Sequence, residues 1–421
     1  MRKVFCLCFL LWVAKPCFAY DFENNGVYYT ISSIEDKTVY VDQGDIPYSG
    51  NIKIPSSVIF KDKEMKVTGI SGAAFYNTNI VSIEISEGIS EIRENCFTDC
   101  KSLNSVSLPN TIKIIGYRAF EGCTSLTKIN LPNSLTDIGT GAFSGCTNLQ
   151  NIVIPPLIKE IKDATFWGCD NLKVLKIPNN VNKVGPYIIK SVNILEFEEG
   201  DDPLYCRNGN KDDRASGLVD IHFFGSFSNS SISKLIIGRH FDYKKEKEER
   251  SPFYWDYFEA PFYKCESIKS IVIRNNVKEI PSLNYSNIDT VVCESPIPID
   301  ISENTFSHKT YVDGILYVPT GSKKNYESKP YWKNFFSIEE IPSSSDITNI
   351  QTITFKIQNE GGKLTINGLN DNTKIFVYSI IGFEIASAIS RKGSAVINTN
   401  LCPGSIAIIK IGNNSTKFVI R

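Results

Sequence analysis

Histidine is scarce in this chain, which has only three among its 421 residues: His222, His240 and His308. The sequence contains no H-E-x-x-H, G-x-S-x-G, P-loop or G-x-G-x-x-G motif. A serine or cysteine nucleophile depends on a positioned base, and the missing motifs are those of zinc hydrolases, α/β-hydrolases and nucleotide-binding enzymes. We therefore predict that the chain is not an enzyme and expect no catalytic residue, metal ligand or cofactor. Glycosidase carboxylates can lie far apart along a sequence, so that class alone is left open.

A strong charge of one sign is also missing. The 45 lysines and arginines nearly balance 46 aspartates and glutamates, for a net charge of −1. This balance gives no electrostatic basis for binding nucleic acid or an anionic membrane.

The one long apolar run lies at the N-terminus. It extends from Val4 to Ala14, after Arg2 and Lys3 and before a Cys17-Phe18-Ala19 segment. This pattern predicts a secretory signal peptide at 1–19, with a lipoprotein anchor on Cys17 as the alternative. We expect an exported chain, at the cell surface or extracellular, with no transmembrane segment once the signal is removed.

A 23-residue repeat dominates the rest of the sequence. Phenylalanine recurs at that spacing, and cysteine follows three positions after each one, at Phe97 and Cys100, Phe120 and Cys123, Phe143 and Cys146, and Phe166 and Cys169. The full frame is F-x-G-C-x-x-L-x-x-I-x-I-P-x-x-I-x-x-I, and it reappears from Phe262 after an irregular stretch at about 185–261. A fixed period of this length predicts stacked coils that bury one continuous apolar column.

Each repeat contains one predicted strand. The L-x-x-I-x-I-P segment alternates between apolar and polar residues, as in Ile129-Asn130-Leu131, and a proline ends it. Stacked copies predict one parallel sheet, with one strand per coil, over residues 75–341, preceded by an N-terminal cap at 20–74. The in-phase cysteines are expected to point inward as small buried hydrophobes, with disulfides between neighbouring coils as the alternative.

The C-terminal part has a different pattern. Ser343, Ser344 and Ser345 indicate a linker at 342–346. Six short strand-like runs separated by turn residues follow, at 352–357, 363–366, 374–379, 394–397, 405–411 and 417–420. We predict a small β-sandwich over residues 347–421.

The repeat motifs resemble those of the BspA-type leucine-rich repeat family of bacterial and protist surface proteins. The motifs are A-F-x-G-C at 142–146, L-x-x-I-x-I-P at 149–155 and I-x-x-I-G at 112–116, and the resemblance covers about 25–341. It implies a β-rich, right-handed leucine-rich-repeat solenoid displayed outside the cell. Relatives act as adhesins for host matrix proteins or other cells.

The C-terminal pattern is similar to the sorting domains of exported proteins from Bacteroidetes. It comprises 377–382, the Leu401-Cys402-Pro403-Gly404 turn and 417–421, although Phe383 stands where the family has arginine. That departure leaves open whether the domain is a sorting signal or a retained stalk.

Two surfaces are candidates for binding. Strand alternation places one set of side chains outward on successive coils: Ser105, Ser107, Lys128, Asn130, Asn151, Val153, Val174 and Lys176, with Ser270 and Val272 further along. The other set is an aromatic insertion: Phe253, Tyr254, Trp255, Tyr257 and Phe258. The first suits a host or microbial surface or matrix protein, and aromatic rings such as the second can stack on a glycan. A cell-surface adhesin is the leading hypothesis, and a glycan-binding accessory protein or a passive envelope protein is the alternative.

Overall fold

Almost all of the chain that the structure describes consists of β-strands and turns. A computed structural model describes residues 20–206, 225–242 and 261–341, and further along 356–360, 363–367, 369, 371–379, 384–399, 406–411 and 414–419. The chain divides into two compact units. The first comprises Met1–Val292, Ile299–Ile315 and Pro330–Ser337, and the second Cys293–Pro298, Leu316–Lys329 and Ile338–Arg421.

Six strands open the first unit. They are β1 (Phe22–Asn24), β2 (Val27–Ser33), β3 (Thr38–Asp42), β4 (Ser49–Ile54), β5 (Ser57–Phe60) and β6 (Lys63–Ile70). Strands β1, β2 and β3 pair antiparallel, whereas β3 pairs with β6 in parallel. Their buried residues alternate with more exposed ones, as in Val27 and Tyr29 of β2. This alternation is typical of strands that cover a core on one face.

Fourteen short strands follow in the part of the repeats that the structure describes. They are β7 (Asn79–Ile85), β8 (Glu91–Ile92), β9 (Ser105–Ser107), β10 (Ile114–Ile115), β11 (Asp137–Ile138), β12 (Glu160–Ile161), β13 (Val174–Ile177), β14 (Lys183–Val184), β15 (Ser191–Phe197), β16 (Leu204–Cys206), β17 (Ser231–Ile237), β18 (Phe241–Asp242), β19 (Ser270–Ile273) and β20 (Thr290–Cys293). The predicted parallel pairing is confirmed, for example between Leu175 and Leu195 and between Leu235 and Ile271. Pairing continues through the irregular stretch, from β13 to β15, β17 and β19.

The repeats carry two lines of parallel strands, so the prediction of one sheet with one strand per coil is wrong. The first line contains β4, β7 and β9, then β13, β15, β17, β19 and β20. The second contains β6, β8, β10 and β11, then β12, β14, β16 and β18. It forms at the I-x-x-I segments, where Ile115 pairs with Ile138. These strands are only two residues long at β8, β10, β11, β12 and β14, too short for alternation to reveal them in sequence.

A stack of phenylalanine rings runs through the core. Neighbouring rings in the series Phe75, Phe97, Phe120, Phe143 and Phe166 lie 5.2, 5.0, 5.5 and 5.9 Å apart between centroids. All five side chains are fully buried. One coil cannot enclose its own phenylalanine, so each ring depends on the coils before and after it.

The backbone around each stacked phenylalanine forms a third line of contact, here called the Phe turns (73–77, 95–99, 118–122, 141–145 and 164–168). The amide of Phe97 donates to the carbonyl of Ala119 at 2.7 Å, and that of Phe120 donates to Ala142 at 2.8 Å. Gly122 and Gly145 have φ values of +70° and +71°, a region that glycine enters without steric cost.

Short helices and strands follow β20. They are α1 (His308–Asp313), β21 (Ile315–Pro319), α2 (Lys323–Ser328), a 3₁₀ turn (Trp332–Asn334) and β22 (Ser337–Ile341). Ser307 caps α1, because its hydroxyl accepts from the Thr310 amide at 3.1 Å. Within the first unit, the buried Trp332 indole donates to the Ile299 carbonyl at 2.8 Å. Within the second, the Tyr326 hydroxyl donates to the Ser295 carbonyl at 2.7 Å.

The described residues of the C-terminal stretch contain seven strands in two antiparallel sheets. They are β23 (Lys356–Glu360), β24 (Lys363–Asn367), β25 (Lys374–Ser379), β26 (Glu384–Ile389), β27 (Ser394–Asn398), β28 (Ile406–Ile411) and β29 (Asn414–Val419). One sheet has the order β23-β24-β27 and the other β26-β25-β28-β29. Residues from both sheets form one buried cluster, including Leu364, Ile397, Val377 and Ile409. Strand β26 has no counterpart among the six predicted runs.

Candidate binding face

The outer side of the first strand line is the predicted binding surface, here called the strand face (Ser105, Ser107, Lys128, Asn130, Asn151, Val153, Val174 and Lys176). All eight side chains are exposed. Bridges from Lys128 to Asn151 and from Asn151 to Val174 align successive coils. The intervening Ile129 and Ile152 are only 4% and 7% exposed. The structure therefore brings the predicted residues onto one surface, and their role in binding stays a prediction.

Paired charges flank the strand face, on the strand that precedes it and at its C-terminal end. On the N-terminal side, the Lys53 ammonium lies 2.8 Å from the Glu84 carboxylate. On the C-terminal side, the Lys176 ammonium lies 2.9 Å from the Glu198 carboxylate, and this hydrogen bond is the main cause of a raised pKa for Lys176. The Asn179 amide is the main cause of a lowered pKa for Glu198, followed by Lys176. Exposed pairs of this kind contribute roughly 0–1 kcal/mol each.

The centre of the strand face is different. Within the described residues, the side chains of Lys128, Asn130 and Asn151 make no hydrogen bond or ion pair. Beside them, Val153 is 80% exposed and Val174 is 37% exposed. This arrangement leaves an apolar centre and unpaired polar groups between two charge-paired ends. Protein interfaces combine an apolar centre with a polar rim in the same way.

Val272, which alternation predicts to point outward into solvent, is fully buried, so that prediction is wrong. It pairs with Ile236 on the neighbouring strand β17, and Ile236 is only 7% exposed. Ser270 is half-buried. Alternation fixes the side of the sheet to which a residue points, but it does not fix solvent exposure. Ile236 and Val272 are adjacent on the outer side, and both are buried. The solvent-exposed face therefore does not include Ile236 of β17 and Val272 of β19.

Several predicted features lie outside the described residues. They are the signal peptide (1–19), the linker (342–346), Cys402 and the aromatic insertion of Phe253, Tyr254, Trp255, Tyr257 and Phe258. They remain predictions.

The eight cysteines in the described residues are free and buried: Cys96, Cys100, Cys123, Cys146, Cys169, Cys206, Cys265 and Cys293. This is the arrangement expected of small core residues. Burial raises the pKa of Cys146, Cys206 and Cys265 to about 12. Reactive and metal-binding cysteines need an accessible thiolate and a lowered pKa, so these thiols are inert.

A groove of about 720 Å³ lies along the Phe turns, a surface that the sequence reasoning missed. Its lining includes Tyr76, Thr98, Asp99, Arg118, Glu121 and Ser144. The Arg118 guanidinium lies 3.4 Å from the Glu121 carboxylate. Burial raises the pKa of Glu121, opposed by Arg118 and assisted by Asp99. The signal in the sequence is the variable residue after each phenylalanine of the repeat.

The described residues offer neither a metal centre nor a membrane-spanning helix. No group of three histidine, cysteine, aspartate or glutamate side chains among them is placed to hold a metal ion. No helix among them has the length and apolar character needed to cross a bilayer.

Solved structures of several bacterial proteins are similar to this chain. A leucine-rich repeat protein from Bacteroides ovatus is 21% identical, with 76% of this chain and 79% of that chain covered and a TM-score of 0.40. Pneumococcal vaccine antigen PcpA is 18% identical, with 76% and 98% covered and a TM-score of 0.39. A leucine rich cell surface protein from Faecalibacterium prausnitzii is 16% identical, with 77% and 95% covered and a TM-score of 0.24. No curated protein matches significantly.

The family follows from the repeats themselves. Six copies of the BspA type leucine rich repeat region match residues 68–196 and 258–361, more than half of the chain. The matched residues contain the phenylalanine stack, the cysteines that follow it and the paired isoleucines of the second strand line. This chain therefore belongs to the BspA-type leucine-rich repeat family.

Proposed function

We propose that this chain is an exported cell-surface protein that binds a host or microbial protein through the strand face, as an adhesin. The observation that carries the proposal is the exposed centre of that face, where Val153 is 80% exposed beside the unpaired side chains of Lys128 and Asn151. Parallel bridges join Lys128 to Asn151 and Asn151 to Val174 in successive coils, so a partner meets a surface that is ordered before it binds. Preorganisation of this kind lowers the entropic cost of association.

The charge of the strand face indicates how the partner is recognised. Glu84 on the preceding strand β7 and Lys176 at the C-terminal end of the face are paired to Lys53 and Glu198, so their charges are locally balanced. Long-range electrostatic steering requires a field of one sign, which this surface lacks. We therefore expect contact area and hydrogen bonds to give the affinity, and binding to depend only weakly on salt.

A single substitution on the strand face tests the proposal. The purified protein is applied to immobilised host matrix proteins and to whole microbial cells, and the same assay is repeated with Val153→Asp. Val153 is already exposed, so the substitution leaves the core intact while it places a charge at the centre of the surface. We expect at least a tenfold loss of binding to the partner that the wild type captures.

Ile34→Asp is the matched control. Ile34 is 82% exposed, close to Val153 in exposure, but it lies between β2 and β3, away from the strand face. It should bind like the wild type. Equal losses in both variants, or no protein partner at all, would contradict the proposal. If no protein partner is found, sugar binding that Trp255→Ala abolishes would favour a glycan-binding accessory protein. High surface abundance without any ligand would favour a passive envelope protein.

The remaining parts of the proposal concern architecture and export. We infer a right-handed solenoid with coils of about 23 residues, supported by the pairing of Ile115 with Ile138 and of Ile161 with Val184. We infer that the two C-terminal sheets pack as a small β-sandwich, supported by their shared buried cluster. Its resemblance to sorting domains suggests a role in export. If residues 347–421 act in export, their removal should retain the protein inside the cell. If the truncated protein is displayed as before, the C-terminal domain acts as a stalk instead.

A further inference from the structure

One variable residue follows each stacked phenylalanine in its Phe turn, and of these five side chains only Thr98 is buried. In chain order these residues are Tyr76, Thr98, Glu121, Ser144 and Trp167. Aromatic residues stand at both ends of this column and smaller or polar ones between them. Tyr76 is 48% exposed, although large aromatic side chains are usually well buried. The groove on the Phe turns occupies the Tyr76 end of the column.

The side chains of Asp99 and Arg118 each lie over a glycine of the following coil. The space where a Cβ would stand at Gly122 is 2.8 Å from the Asp99 carboxylate, and the corresponding space at Gly141 is 3.3 Å from Cγ of Arg118. Ala73 and Ala164, which occupy the same place in their own turns as Gly141, also have positive φ. Backbone conformation alone therefore does not demand glycine at 141. Its missing side chain leaves room for Arg118.

The backbone holds these groups in fixed positions. The amide of Asp99 donates to the Glu121 carbonyl at 2.7 Å, and the amide of Arg118 donates to Thr140 at 3.0 Å. The Thr98 hydroxyl donates to the Arg118 carbonyl at 2.6 Å. These backbone groups are engaged by the neighbouring coils, so a ligand would be recognised by side chains: two carboxylates, one guanidinium and one phenol ring.

We propose that this groove binds a neutral sugar, with a ring packed on Tyr76 and hydroxyls hydrogen-bonded to Asp99, Arg118 and Glu121. Its volume of about 720 Å³ lies within the range of small-molecule sites. Carboxylates accept from hydroxyls, and a guanidinium donates to them, so these three groups match both roles of a sugar hydroxyl. The ring of Tyr76 offers an apolar face to the C–H side of a pyranose.

The same groups disfavour other ligands. Glu121 is paired with Arg118, and Asp99 is paired with Lys101, whose ammonium lies 3.9 Å away, so the groove has no excess of positive charge to attract phosphate or sulfated glycans. Tyr76 and Ala73 are the apolar side chains of the lining, which is about half polar, so the groove is not the predominantly apolar enclosure that suits an apolar peptide side chain. A lysine side chain between Asp99 and Glu121 is the strongest competitor. Its ammonium can also pack on the Tyr76 ring, so salt distinguishes the two ligands: salt screens charge pairing but does not weaken the binding of a neutral sugar.

The test uses the full-length protein on an array of neutral mono- and oligosaccharides of glucose, galactose, mannose and N-acetylglucosamine, followed by titration calorimetry with the best binder. Ser144→Trp fills the groove, and Trp167 shows that the next coil accepts tryptophan at the equivalent place. Tyr76→Ala removes the ring and Glu121→Gln removes one charge. We expect Ser144→Trp and Tyr76→Ala to lower affinity at least tenfold, and Glu121→Gln to lower it a few-fold with little dependence on salt.

Ser107→Trp is the matched control, because it places the same bulky residue on the strand face. It should bind sugar like the wild type, as should Val153→Asp, so failure of this proposal and failure of the adhesin proposal are distinguishable. The proposal is overturned if no neutral sugar binds, or if binding survives both Ser144→Trp and Tyr76→Ala. Capture of a lysine-rich peptide that is abolished by Glu121→Gln and by salt would also overturn it. Thermal melts identify any variant that fails to fold. If Tyr76→Ala does not fold, Tyr76→Phe replaces it. This variant keeps the ring and should retain binding.

Discussion

The thiol of Cys146 donates a hydrogen bond to the carbonyl oxygen of Phe120, 3.1 Å away in the preceding coil. The same contact recurs along the repeat, from Cys100 to Phe75 at 2.9 Å, from Cys123 to Phe97 at 3.1 Å and from Cys169 to Phe143 at 3.2 Å. Cysteine is small enough for this buried position and supplies a weak donor that alanine lacks. The cysteine of F-x-G-C therefore ties each coil to the one before it.

Substitution of Cys146 by alanine should lower the free energy of unfolding by about 1–2 kcal/mol, because it leaves a small cavity. The Phe120 carbonyl keeps a second donor, the amide of Cys123, so it is not left unsatisfied. Urea denaturation of the wild type and the variant measures the difference. A loss above about 4 kcal/mol, reproduced by adding a reductant to the wild type, would instead indicate a disulfide.

Alkaline pH should destabilise the fold through the same buried thiols. In the folded protein the pKa of Cys146 is about 12, whereas its ordinary value is 9.0. Below pH 9 both states hold the proton and stability is unaffected. Above pH 9 the unfolded state loses the proton first, so stability falls until the pH passes 12. For this one group the loss at pH 10 is about 1.4 kcal/mol.

The Cys146→Ala variant provides the measurement. Urea denaturation at pH 8 and at pH 10 should show a smaller drop in stability for the variant than for the wild type, by about 1.4 kcal/mol. Other buried cysteines and tyrosines contribute to the total drop in both proteins, so only the difference between them reports on Cys146. Equal drops would mean that the thiol titrates normally in the folded state.

The sequence predicts the fold well where a side chain has one environment. Phe120 and Phe143 recur in phase because each fills the same space in the core, and their period therefore predicts the stack. The sequence predicts the burial of a side chain less well where its environment depends on neighbours outside the repeat. Val272 points outward as alternation requires, yet it is buried beside Ile236. The groove was missed for a related reason, since its residues, such as Tyr76 and Glu121, occupy a position that varies from coil to coil.

Gly139 should be far less tolerant of alanine than Gly145. A Cβ at Gly139 would lie 2.4 Å from the carbonyl carbon of Gly116, which is backbone in the neighbouring coil and cannot move aside. Gly145 has a φ of +71°, but a Cβ there would meet Gly122 only at 3.5 Å. We expect Gly139→Ala to cost at least about 3 kcal/mol through overpacking and Gly145→Ala about 1–2 kcal/mol through backbone strain. Thermal and urea denaturation compare the two, and the reverse order would show that neighbouring coils are more loosely stacked.

Arg239 ties the irregular part of the repeat to a regular coil. It is only 1% exposed, and its guanidinium donates to the carbonyl oxygens of Asn179 at 3.1 Å and Pro178 at 3.2 Å. Burial lowers its pKa, opposed by Cys206, Glu198 and Asp202. A repeat pattern could not predict this role, because the frame has no arginine at this place.

Arg239→Ala should lower the free energy of unfolding by about 3–5 kcal/mol, because it opens a cavity and leaves the Asn179 carbonyl without a donor, whereas the Pro178 carbonyl keeps the Val181 amide. Arg239→Met fills most of the space without donating, so it should cost less, about 1–3 kcal/mol. Lys190→Ala, an exposed position in the same region, is the control and should change stability by less than about 0.5 kcal/mol. Urea denaturation ranks the three variants. If Arg239→Met equals or exceeds the wild type in stability, the cost of burying the guanidinium outweighs its two hydrogen bonds, and Arg239 does not hold these coils together.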